Sequence, residues 1–109
     1  MIAKKPSIFI YVNQPFQEVL KEICAGIEEE GVFFEVFERE AQDPDLLAFE
    51  AAKDSMMGSG IGLHGETAVL QMKGMSMGRN IEAYQRPTRE QCRKIGANSA
   101  RAIKKQAFK

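Results

Sequence analysis

The sequence carries one histidine, two cysteines and no net charge, and each shortage removes a class of function. Fifteen lysine and arginine residues balance fifteen aspartate and glutamate residues. That balance removes the net pull toward nucleic acid or an anionic membrane, and it points to proteins or small molecules as partners. No run approaches the roughly 20 consecutive apolar residues of a membrane span. The opening Met1-Ile2-Ala3-Lys4-Lys5-Pro6-Ser7 leads into a short apolar run and not into a secretory leader, so the cytoplasm is the expected compartment. Cys24 and Cys92 fall on apolar stretches of expected helices, where a free thiol acts as a small hydrophobe. No cysteine or histidine pair has zinc-site spacing. His64 belongs to an exposed turn, and no nucleophile, base and orienting group can be assembled around it, which argues against a hydrolase. A phosphate loop is missing as well. The glycines of Gly58-Ser59-Gly60-Ile61-Gly62 precede a strand instead of joining a strand to a helix, and no lysine-serine or lysine-threonine pair follows. A hairpin entry and close packing explain them better.

What is present is a regular alternation of elements over 109 residues, the length of one domain, 1–109. Ser7 to Val12 is a β-branched and aromatic run that predicts a buried strand, ended by Asn13-Gln14-Pro15, with Pro15 suited to a helix start. Phe16, Val19, Leu20, Ile23 and Ile27 recur at the spacing of one helical face, and Gly31 is the stop signal. Val32 to Phe37 predicts a second strand. Asp43-Pro44-Asp45 opens a second helix, with an apolar face of Leu46, Leu47, Phe49 and Ala52, which Met56-Met57-Gly58-Ser59 breaks. Gly60 to Leu63 and Thr67 to Met72 are strands joined through His64-Gly65-Glu66, a connection so short that it permits only an antiparallel hairpin. After a loop from Lys73 to Arg79, Asn80 to Tyr84 predicts a last strand, and Thr88 caps a final helix carrying Cys92, Ile95, Ser99 and Ile103 on one side. This order predicts a three-layer α/β/α fold of the anticodon-binding-domain-like kind. Its sheet is mixed and mostly parallel, with five strands of which one is antiparallel.

Three clusters invite a functional reading. Glu28, Glu29 and Glu30 stand where the first helix ends, and the unpaired carbonyls there carry about half a negative charge. Each carboxylate is therefore unfavourable by about 0.3 to 1 kcal/mol, unless a cation from elsewhere relieves it. The triplet is a candidate site for a metal or a basic partner, against the plain alternative of a solvated helix face. Met56-Met57 and the group Met72, Met75 and Met77 form either an adaptable contact surface or a filling for the end of the core. The C-terminal stretch is basic, with Arg86, Arg89, Arg93, Lys94, Arg101, Lys104, Lys105 and Lys109 against Glu90. Lysines at a helix end are favoured by its dipole, and no aromatics lie between these charges, which weakens a nucleic-acid reading. The small residues Gly96, Ala97 and Ala100 predict close approach to another backbone.

Gly26-Ile27-Glu28-Glu29-Glu30-Gly31, the Gly60-Ile61 strand and Arg93-Lys94-Ile95-Gly96-Ala97-Asn98-Ser99-Ala100-Arg101 together resemble one family. It is the small subunit of the diol or glycerol dehydratase reactivating factor, related to the medium subunit of the dehydratases. The resemblance spans most of the chain and is strongest at the glutamate block and at the Gly-x-Asn-x-Ala-Arg pattern. It implies a non-catalytic partner of an actin-like ATPase large subunit, in a complex that lets damaged cobalamin leave a dehydratase. It also implies exchange with the dehydratase medium subunit against the large dehydratase subunit, and a place in the cytoplasm, with or without a bacterial microcompartment. No cofactor of its own is implied. Glu29 is the residue that would meet a magnesium held with nucleotide on the ATPase subunit, with Glu28, Glu30, Met75 and Met77 as partner contacts. An isolated chain with such a surface is expected to form a homodimer. Departures from the family pattern are His64, where an acidic residue is usual, and the methionine-rich loop in place of a proline-containing one. Two alternatives stand beside this reading: a medium-subunit paralogue of a dehydratase, expected to carry additional N-terminal sequence, and an anticodon-binding-like nucleic-acid module.

Overall fold

The computed structural model describes residues 6–104. Along the chain the elements are β1 (Ile8–Pro15), α1 (Gln17–Glu29), β2 (Phe34–Glu38), α2 (Pro44–Asp54), β3 (Ser59–Gly65), β4 (Thr67–Met72), β5 (Glu82–Gln85) and α3 (Arg89–Lys104). The strands lie in the order β2-β1-β3-β4-β5. β1 is parallel to β2 and β3, while β4 is antiparallel to both β3 and β5, so β4 alone is reversed. The mixed, mostly parallel sheet is as expected.

Strand periodicity divides the buried side chains between two faces. Ile8, Ile10 and Val12 of β1, Ile61 and Leu63 of β3, and Leu70 of β4 meet Val19, Ile23 and Ile27 of α1 and Cys92, Ile95 and Ala100 of α3 in the larger core. On the other face Tyr11 packs with Leu47 and Ala51 of α2, and Phe9 and Phe37 close that smaller cluster. The helices therefore cover both faces, two on one side and one on the other. Tyr11 also ties β1 to α2, its hydroxyl donating to Asp54 Oδ2 at 2.5 Å. Burial and this carboxylate raise the Tyr11 pKa above its ordinary value.

The glycines of β3 set how α2 sits. Gly60 and Gly62 face α2, and a Cβ on either would run into the α2 backbone, at Ala52 for the first and at Pro44 and Ala48 for the second. The helix answers with its own small residues, burying Leu47, Ala48, Ala51 and Ala52. That corrects the expected face: Leu46 and Phe49 are only half-buried, because a helix pressed onto a glycine strand turns its smallest side inward. The close-packing explanation of the glycine cluster holds.

Several boundaries differ from those expected. β1 continues to Pro15, so Pro15 ends a strand and does not begin a helix. The pairing shifts between Asn13 and Pro15 opposite β3, and Gln14 takes φ of 45° there, the kind of irregularity where proline is tolerated in a sheet. Phe16 is then the N-cap residue of α1, its backbone N–H held by the Gly65 carbonyl at 2.8 Å. β2 begins at Phe34, two residues after the predicted start, and β5 runs Glu82–Gln85 in place of 80–84. β3 extends through Gly65, which places half-buried His64 on the strand and not on the turn, with its Nδ1 3.0 Å from the Asn13 carbonyl oxygen. Asn13 holds the end of β2 by donating through Nδ2 to the Arg39 carbonyl at 2.8 Å. Among the described residues no helix is long and apolar enough to cross a membrane.

Candidate functional site

α1 ends where the sequence indicated. The Glu30 N–H donates to Ile27 O and the Gly31 N–H to Glu28 O, each at 3.0 Å, and Gly31 sits at φ of 74°, the left-handed conformation that suits glycine. α3 lies across this helix with almost no space between backbones. A side chain on Gly26 would strike the carbonyl of Arg93, and one on Gly96 would strike that of Ile23. The close approach predicted for Gly96 is thus to α1.

Contacts advance in the same order along both helices, so α1 and α3 run in the same direction and α3 lays its cations beside the glutamates. Arg93 Nε donates to Glu22 Oε1 at 2.8 Å and its Nη1 to Glu29 Oε1 at 2.8 Å, while Arg89 reaches Glu22 at 3.2 Å. About two turns further along α3, Arg101 Nη2 lies 3.3 Å from Glu30 Oε2 and Lys104 Nζ 3.5 Å from Glu30 Oε1. Lys104 Nζ also donates to the Glu30 backbone carbonyl at 2.5 Å. Lysine at a helix end was expected to serve its own helix. Here it caps the neighbouring one.

The cations that relieve the triplet therefore come from α3 of the same chain, so the helix-end charge does not by itself require a metal or a partner. The triplet's three members also separate. Glu30, with its side chain 11% exposed and both carboxylate oxygens engaged, faces inward and fastens α3 to α1, which corrects its assignment as a partner contact. Glu28 is exposed. Glu29 is half engaged: its side chain is 59% exposed, Oε1 accepts from Arg93, and Oε2 makes no hydrogen bond among the described residues. A carboxylate held through one oxygen and open at the other suits a hard cation presented by another molecule. Among the described residues no three histidine, cysteine, aspartate or glutamate side chains converge as a metal set.

The same pairing removes much of the basic surface that a nucleic-acid module would need, since Arg89, Arg93, Arg101 and Lys104 are committed to Glu22, Glu29 and Glu30. Lys105 and Lys109 lie outside the described residues. The Arg93 hydrogen bond, followed by the nearby Arg89 and Arg93 charges, holds the Glu22 carboxyl below its ordinary range. Burial, reinforced by the Glu28 charge, pushes the Cys24 thiol up to about 11, which leaves it protonated and inert near neutrality. Cys92 is buried.

Arg93 and Arg101 were not singled out in the sequence as partners of the triplet, nor Glu22 as the anchor of Arg93. The available signal was spacing: Glu22 and Glu29 are seven residues apart, two turns of one face, and Arg89 and Arg93 are one turn apart on the last helix. Met75 and Met77 are not brought to the glutamates. They stand on the β4–β5 connection, where Met75 shares a pocket with Phe49 and Lys53 of α2, the layer on the other face of the sheet.

An α/β sheet flanked by two crossed helices on one face and one on the other, with a carboxylate left open at a helix end, defines a class. The chain belongs to the dehydratase medium subunit family, whose model matches residues 5–109. It is similar to a chain in the structure of the diol dehydratase-reactivating factor complexed with ADP and Mg2+, at 26% identity and a TM-score of 0.90, over 97% of this chain and 99% of that one. A chain of a glycerol dehydratase reactivase has the same fold, with a TM-score of 0.89 and 22% identity over 96% of this chain and 97% of that one. These similarities support a dehydratase reactivase subunit.

Proposed function

We propose that the chain is the non-catalytic small subunit of a chaperone-like reactivating factor, one that helps damaged cobalamin leave a diol or glycerol dehydratase by subunit exchange. The observation that carries this is the near-complete structural match to a chain of the diol dehydratase-reactivating factor at 26% identity. Its partners on this reading are an actin-like ATPase large subunit and the large subunit of a cobalamin-dependent dehydratase, met in the cytoplasm.

Glu29 is the residue that meets the ATPase subunit's magnesium. The neighbouring structure was solved with ADP and Mg2+, and the donor set fits. Magnesium takes oxygen ligands, commonly one or two carboxylates with phosphates, and the open oxygen of Glu29 is of that kind. When bound, the ion supplies a charge that ties the nucleotide state of one subunit to its grip on the other. This chain supplies the position. Arg93, anchored on Glu22, holds Glu29 by its other oxygen and limits the rotamers it must give up on binding. Glu28 is exposed beside it and contributes charge.

Glu29→Gln keeps the shape and removes the charge. Titration calorimetry against the ATPase subunit with ADP should show association weakened by about tenfold or more when magnesium is present, with little change when it is chelated. Equal affinities of wild type and variant under both conditions would remove Glu29 from the interface. The family match favours one second reading, a medium-subunit paralogue of a dehydratase. Tight binding to the large dehydratase subunit, with no binding to the ATPase subunit in any nucleotide state, would select it.

A further inference from the structure

The β4–β5 connection and α2 enclose a pocket of about 350 Å³, lined by Phe49, Lys53, Met72, Lys73 and Met75. It lies on the α2 layer and owes nothing to Glu29. Three observations mark it as built. Its loop wall is fastened from below: fully buried Gln71 donates through Nε2 to Ser76 O at 3.1 Å and Asn80 Oδ1 at 3.3 Å, and Asn80 is tied in turn to Asp45 of α2 at 3.0 Å. Lys73 is pinned against the α2–β3 connection, its N–H donating to Gly58 O at 2.8 Å, so the wall is set before any occupant arrives. The floor is apolar and adaptable, since thioethers re-pack around differing shapes, and Met77, 53% exposed, continues this character along the loop.

The third observation is charge. The pocket lining contains two lysines and no carboxylate. Among the described residues neither ammonium group has a hydrogen bond or ion pair, unlike Arg89, Arg93, Arg101 and Lys104, each of which is paired. Asp54, the carboxylate next to Lys53 in sequence, is taken by Tyr11. The opening thus offers an apolar hole beside two unpaired cations.

We propose that this pocket is a docking site for an acidic, apolar segment of a partner protein, which inserts an aromatic or branched aliphatic side chain between Phe49, Met72 and Met75 and sets flanking carboxylates against Lys53 and Lys73. The volume is at the small end of ligand sites, matched to a side-chain anchor and not to a cofactor. Unpaired lysines at the rim select the sign of the flanking charge and speed the encounter.

The test uses protein labelled with 13C at the methionine methyls and two blocked tetrapeptides that differ only in charge, acetyl-Glu-Leu-Phe-Glu-amide and acetyl-Lys-Leu-Phe-Lys-amide. The acidic peptide should shift the Met72 and Met75 resonances, and the basic one should not. Joint Lys53→Glu and Lys73→Glu substitution should weaken the acidic peptide by about tenfold or more and favour the basic one. Unchanged resonances elsewhere would show that this variant keeps its fold. The proposal is overturned if neither peptide moves these methyls at millimolar concentration, if both do so equally, or if the charge-reversed protein keeps its preference for the acidic peptide.

Discussion

Arg93 serves two carboxylates at once, and its loss should be felt by both. Its side chain is one-third exposed and its guanidinium is shared between Glu22, 15% exposed, and Glu29, 59% exposed, so the Glu22 bond is the better shielded from water and the Glu29 bond is close to a surface pair. Glu22 gives this a pH signature. Its folded pKa lies below the unfolded value of about 4.3, so its contribution is fully present above that pH and is lost as pH falls through the folded pKa. Urea midpoints at about pH 6 and about pH 3.5 should therefore differ more for wild type than for Arg93→Met, because the variant has little of this stability left to lose. Equal differences would show that the pair contributes nothing to folding. The glutamate triplet stood out in the sequence because three carboxylates at a helix end break a local rule, whereas Glu29 was distinguished within it only by the family resemblance. The partners that satisfy the rule did not stand out, since they lie more than sixty residues away and nothing local marks them.

The crossing of α1 and α3 depends on two glycines, which is a property of the pair of helices and not of either alone. Replacing Gly96 by alanine gains roughly 1 kcal/mol in helix propensity. It also drives a methyl into the Ile23 carbonyl, a backbone group that can yield only if the helices move apart. Such overpacking costs about 1 to 3 kcal/mol, so Gly96→Ala should be destabilising by denaturant titration despite the propensity gain. It should also loosen Glu30, which a rise in amide exchange at Gly31 would register. At this scale the element order was fully legible, because the period of apolar residues and the caps agree. Thr88 is a case in point: its Oγ1 accepts from the Gln91 N–H at 3.1 Å while Gln91 Oε1 accepts from the Thr88 N–H at 2.9 Å, a reciprocal cap. The face of α2 was misjudged because large side chains dominate a hydropathy pattern, whereas Gly60 and Gly62 reward small ones. The end of β1 was misjudged because proline after a strand looks the same whether it closes the strand or opens a helix.

For the whole molecule, the sheet is open at both edges, β2 and β5, and the longer of these edge strands is β2. Val36 stands there 41% exposed, and an edge with unpaired backbone groups and an apolar side chain invites a second strand. The chain alone should therefore self-associate, and Val36→Lys should shift it toward monomer in sedimentation velocity at matched concentrations. A monomer at every concentration tested would refute this edge pairing. The parallel crossing of α1 and α3 has a different consequence, for how the molecule is made. The larger core needs Ile95 and Ala100 of α3 against β1 and α1, some seventy residues or more upstream. While the ribosome is still translating the last helix, the core around Ile23 and Ile27 lacks the cover of Ile95 and Ala100, and a chain stalled before α3 has emerged presents that uncovered side to chaperones. The first half of this protein must wait for the last helix before it can close.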